Sequence, residues 1–239
     1  MTENVPLRRQ RDLGTVISDS FTILFASWSI LAMIVAPAVL VGLAFSLIEY
    51  GVGDDELVTA LIILASLPVQ FVAYELVGAA VVAQINGRDL GQTMAAGDAL
   101  DVAQDRFGDV IGAAVRSTAI VFLLAITIVG IPWALKRGVE WAFLTEAIII
   151  DGQKGEPSLA YSAALVLGNW WSTFGRLIVA GIVIGIPTVM LSSLIALAVP
   201  GVIGIIASSV PEFLALPFGI IATTLIFFDL KLRKAGDAV

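Results

Sequence analysis

The sequence predicts an all-α, polytopic integral membrane helical bundle. Hydrophobic residues make up 59% of the 239 residues and charged residues only 14%, whereas soluble domains carry about 25% charged residues. The mean hydropathy is +0.99. The apolar residues also fall in several blocks long enough to cross a bilayer as helices. The reading is a single membrane domain over 1–239, with about six transmembrane helices and three interfacial amphipathic helices.

Residues 1–12 read as a polar tail carrying Arg8, Arg9 and Arg11. The opening MTENVPLRRQRDLG has no apolar core, so no cleavable signal peptide is predicted. In LGTVISDSFTILFASW, the residues Leu13, Val16, Ile17, Phe21 and Leu24 recur at helical spacing, with Thr15, Ser18, Asp19 and Thr22 opposite. That pattern predicts an amphipathic helix lying in the interface. Trp28 stands where an aromatic belt residue belongs. The first span is predicted at 27–50, with Pro37 as a kink.

A short acidic loop, GVGDDE, leads to a second span at 57–84 containing Pro68, Gln70 and Glu75. Residues 86–109 are polar and read as helical. A third span is predicted at 110–129, with Arg116 near its start. The fourth, 130–152, opens with Ile131-Pro132, closes with Asp151-Gly152 and carries Lys136, Arg137, Glu140 and Glu146. Four ionisable groups cannot face lipid in one span, since each costs about 2.5–3.5 kcal/mol at a helix centre. The expectation is that these groups face the bundle interior, that the other helices surround this span, and that Glu75 or Arg116 bonds to it. Lys136 and Arg137 stand four and three residues from Glu140, which also allows a local ion pair at the interface.

After the turn DGQKGE, Pro157 suits a first helical turn, and SLAYSAALVLGNWW reads as the third interfacial helix. The fifth span is predicted at 174–199, with Arg176 near its start and a Gly181/Gly185 pair read as close packing inside the chain. A broken segment, 200–212, precedes the sixth span at 213–228, and Asp229, Lys231, Arg233 and Lys234 follow. Interfacial helix, aromatic junction and two spans recur as a weak threefold repeat over 13–86, 90–152 and 158–230. Nine Lys and Arg residues fall on the side of the two tails and two on the other, which predicts a cell-membrane protein with both termini cytoplasmic.

Three short motifs resemble the membrane domain attached to some bacterial glycerophosphoryl diester phosphodiesterases and its free-standing relatives. They are Leu13-Gly14-Thr15 before the first span, Ile131-Pro132 with Asp151-Gly152, and the run Phe228-Asp229-Leu230-Lys231-Leu232-Arg233. The resemblance covers nearly the whole chain and implies a membrane fold. That family's activity resides in a separate soluble barrel domain dependent on His and metal, and no such segment is present in this sequence.

Function is bounded mainly by exclusion. The chain has no Cys and no His, which removes thiolate catalysis, the commonest general base and the commonest metal ligand. No enzyme activity, cofactor or metal is predicted, and a net charge of −7 argues against nucleic acid as a partner. The expected partners are the lipid bilayer and a membrane protein or a second copy of the chain. Glu75, Arg116, Lys136, Arg137, Glu140 and Glu146 are candidates for an intramembrane polar network. Arg8, Arg9, Arg11, Lys231, Arg233 and Lys234 are candidates for lipid-headgroup contacts. The favoured role is a scaffold or accessory subunit binding lipid or a membrane partner. The alternative is a transporter for a lipid or small polar molecule, which a cavity reaching Glu75 or Glu140 would favour.

Overall fold

The computed structural model describes residues 7–53, 55–92 and 94–236. The first six residues of the predicted tail and Asp54 of the acidic loop lie outside them. The described residues form α1 (Leu13–Ala26), α2 (Trp28–Val52), α3 (Glu56–Asp89), α4 (Ala96–Asp105), α5 (Phe107–Ala125), α6 (Ile131–Glu140), α7 (Leu144–Ile149), α8 (Glu156–Val166), α9 (Trp170–Ala198), α10 (Gly201–Ser208) and α11 (Glu212–Gly236). The fold is an all-α membrane bundle. Five segments are long and apolar enough to cross a membrane: α2, α3, α5, α9 and Gly201–Gly236.

Local chemistry sets several boundaries. Asp12 caps α1 by accepting from Thr15 N at 2.7 Å, and Asp55 caps α3 by accepting from Val58 N at 3.1 Å. Each satisfies an orphan donor of the first turn. At Gly130, between α5 and α6, an added Cβ would stand 2.1 Å from Leu124 O and 2.5 Å from Thr127 Oγ1. Only glycine lets the chain reverse that tightly.

The helix at the centre is α11. It packs against α1, α2, α3, α8 and α9, and Phe218, Ile221, Leu225, Ile226 and Phe227 are all 0% exposed. The expectation that the 130–152 stretch occupies this place is therefore wrong. That stretch is no continuous span either: it breaks at residues 141–143 into α6 and α7. Ser162 of α8 makes the break tolerable. Its hydroxyl donates to Glu140 O at 2.7 Å and accepts from Phe143 N at 3.2 Å, and the side chain is fully buried. One hydroxyl thus satisfies a carbonyl ending α6 and an amide opening α7. The break turns Phe143 inward, where its ring meets that of Phe227 at 6.2 Å.

Helices α5, α6 and α7 form an in-and-out hairpin. Its tip is apolar and open, with Ile128 87% and Val129 78% exposed. Its far end returns to its start, since Gly155 lies beside Asp109 and Arg116 pairs with Glu156 at 2.8 Å. The two described ends of the chain also meet: Arg11 N donates to Asp229 Oδ1 at 2.8 Å.

The Gly181/Gly185 pair does not pack inside the chain. Nothing lies within 4 Å of a Cβ placed at either position.

Candidate functional site

The six residues expected to form an intramembrane network separate. Lys136 and Arg137 face outward, with side chains 61% and 47% exposed, and pair with Glu140 at 3.8 and 2.8 Å on the same helix. The Trp170 indole donates to Lys136 O at 3.3 Å, so this cluster sits beside the start of α9. Arg116 also faces outward, at 52% exposure, and bonds Glu156 of α8 instead of the 130–152 stretch. Neither Glu75 nor Arg116 makes the bond expected of it, because the charges of α6 satisfy one another locally.

Glu75 and Glu146 stay inside. They line one cavity of about 380 Å³ between α3, α7 and α11. From α3 come Tyr74, Glu75, Gly78 and Val82; from α7 and the turn before it Ala142, Thr145 and Glu146; from α11 Ala215, Leu216, Gly219, Ile220 and Thr223. Residues four apart share a helix face, so Tyr74, Gly78 and Val82 form one wall and Ala215, Gly219 and Thr223 another. The cavity exists because Gly78, Ala142, Ala215 and Gly219 leave no side chain to fill it.

Glu146 is 3% exposed. Beside its own backbone N–H, the hydrogen-bonding neighbour described for it is Thr224 Oγ1, which stands at 3.5 Å and donates its proton to Ile220 O at 2.8 Å. Glu146 therefore faces the cavity without a cationic donor. Glu75 is near enough to interact with it electrostatically. Among the described residues no ion pair engages either carboxylate, and no Lys or Arg lines the cavity.

Tyr74 separates this cavity from a second one of about 240 Å³. Its hydroxyl donates to Glu212 Oε1 at 2.5 Å, bonding α3 to the start of α11. Ser46 and Glu49 of α2, Gln70 of α3, Ser208 of α10, Ser209 and Glu212 make the second cavity's lining polar. Sequence reasoning did not single out Tyr74, Glu49 or Glu212. The available signal was an acid at the edge of an apolar block facing others across two helices.

The six basic residues expected to contact lipid headgroups each bond an acidic or carbonyl group within the chain. Arg11 is 2% exposed and donates to Asp19 Oδ2 at 2.8 Å and Leu7 O at 2.6 Å. Arg9 also bonds Asp19, at 2.7 Å. Asp19, expected on the polar face of α1, is therefore turned inward and buried. Arg8 pairs with Asp89 at 2.6 Å, Lys231 with Asp151 at 2.5 Å, and Lys234 donates to Leu167 O at 2.6 Å. Arg233 bonds Asp229 at 2.7 Å, and Arg176 bonds the same oxygen. Asp229 is 0% exposed and joins the N-terminal segment, α9 and α11. Asp151 similarly accepts from both Lys231 and the Tyr161 hydroxyl, the latter at 2.7 Å. Burial, aided by that hydrogen bond, pushes the Tyr161 phenol up to about 12.

These contacts hold Arg8, Arg9, Arg11, Arg176, Lys231, Arg233 and Lys234 near the end of the bundle where the two described ends meet. The opposite end carries Glu49, Asp55, Glu56 and Glu212. Comparison with protein families, curated proteins and solved structures gives no match.

Proposed function

We propose that this chain is a multi-pass, non-catalytic protein of the cell membrane that carries a small solute through the cavity between α3, α7 and α11. One observation carries the reading: Glu146, 3% exposed, faces an open cavity within an apolar bundle and has no cation beside it. An ionisable group held inside a membrane bundle is costly and marks a substrate or ion pathway. Such a group with open space in front of it favours the carrier reading, the alternative given by the sequence, over the scaffold or accessory-subunit reading. The basic residues that gather where the two described ends meet support cytoplasmic termini by the positive-inside rule. The short motifs that resemble those of the phosphodiesterase membrane domains are consistent with a non-catalytic membrane role. Their acids, Asp151 and Asp229, bond basic and phenolic partners inside the bundle.

The reading is tested with purified protein in vesicles loaded with a mixture of small metabolites, by mass spectrometry of what leaves. At least one solute class is expected to leave faster than from vesicles carrying Glu146→Gln. Equal efflux for every solute would contradict the reading.

A further inference from the structure

Resting on the carrier reading, we infer that the cavity takes a small amphiphilic organic cation, a protonated amine on an apolar body. Two carboxylates from different helices, Glu75 and Glu146, face the same space, and no basic residue lines it. With nothing positive opposing them, the two cannot both ionise without strong repulsion across a poorly screened interior, where an ion pair is far stronger than in water. A cation between them would remove that repulsion and give each carboxylate a charge-assisted hydrogen bond.

The rest of the lining argues against a bare metal ion. Hard cations need about six or more oxygen ligands at close range. Here the walls beyond the two carboxylates are mainly apolar, as with Val82, Leu216 and Ile220, and the space of about 380 Å³ greatly exceeds a single ion. Among the described residues no group of three or more acidic, His or Cys side chains could hold a metal. An apolar body filling the cavity, with an ammonium at its acidic wall, matches both features.

A second observation agrees independently. The bundle end remote from the basic cluster is acidic, and its polar cavity, holding Glu49 and Glu212, adjoins the inner one across Tyr74. A mouth lined by one sign of charge concentrates ions of the other sign. A cation reaching this end meets Glu49 and Glu212 at the outer cavity and Glu75 and Glu146 at the inner one, and the Tyr74–Glu212 hydrogen bond stands between the two.

The test uses the full chain in nanodiscs of zwitterionic phosphatidylcholine, with empty nanodiscs as background. Calorimetric titration compares 2-phenylethylamine with its uncharged isostere 2-phenylethanol at neutral pH. The amine is expected to bind saturably and at least about tenfold more tightly than the alcohol. Glu146→Gln and Glu75→Gln are each expected to weaken the amine at least about tenfold and leave the alcohol unchanged, while Glu140→Gln, outside the cavity, changes neither. Equal binding of amine and alcohol to the unaltered protein would overturn the cationic class and leave the cavity as a solute site. Saturable binding of neither compound would overturn both the class and the cavity's role in carriage.

Discussion

Replacing Asp229 with alanine should be among the most damaging single changes outside the cavity. The carboxylate is fully buried and accepts from the Arg11 backbone at 2.8 Å, from Arg233 Nε at 2.7 Å and from Arg176. The Arg176 side chain is only 12% exposed, so its loss dominates. Removing one partner of a buried ion pair typically costs about 3–5 kcal/mol, because the remaining charge stays desolvated. The Arg233 side chain is 34% exposed, so solvent screens it and it adds little. The Arg11 amide loses an acceptor in a buried setting, worth about 1–3 kcal/mol by itself. These losses share one network and do not sum, so the expected total stays near about 3–5 kcal/mol. Unfolding of the purified protein in mixed detergent micelles measures it. Trypsin cleavage after Arg8, Arg9 and Arg11 should also accelerate as the N-terminal segment loses its anchor. Asp89→Ala is the control: its partner Arg8 has a side chain 56% exposed, so the cost should not exceed about 1 kcal/mol. Equal destabilisation by the two variants, or an unchanged cleavage rate in Asp229→Ala, would refute the reasoning.

Ser162→Ala should destabilise the protein by about 1–3 kcal/mol, because it leaves Glu140 O and Phe143 N without their shared partner in a buried site; the same unfolding assay measures it. Gly130→Ala should disrupt the α5–α6 turn, since the new methyl would overlap Leu124 O; increased protease cleavage at residues 126–131 reads it out. Tyr161 favours its neutral form in the folded state, with its pKa raised from 10.0 to about 12. Its contribution to stability is therefore complete below pH 10 and lost as pH rises toward 12. Across that window the unaltered protein should lose stability more steeply than Tyr161→Phe, and parallel pH profiles would count against the shift.

Long apolar blocks made α2, α3 and α9 legible, because hydropathy depends on composition and needs no knowledge of packing. The 130–152 stretch misled for a physical reason. The group that permits its break, Ser162, lies on another helix, and no local pattern announces a hydroxyl satisfying two ends at once. The ion pairs of the basic clusters were not legible because their acidic partners are far along the chain: Arg8 meets Asp89 and Lys231 meets Asp151. Glu75 and Glu146 stand out as charges in apolar sequence. That they face one cavity depends on helix rotation and on the absent bulk of Gly78 and Gly219, which shows only when the walls are assembled.

The most direct measurement of the central claim is the water accessibility of the cavity. The chain has no Cys, so Thr223→Cys, on the cavity wall, can be probed alone with a membrane-impermeant maleimide in sealed vesicles. Leu194→Cys serves as a lipid-facing control, since Leu194 is 60% exposed on the apolar surface of α9. The account expects Thr223→Cys to react and Leu194→Cys to stay unlabelled, with 2-phenylethylamine slowing the former. An unreactive Thr223→Cys in a folded protein, alongside a labelled position at the acidic end such as the exposed Glu56→Cys, would contradict it.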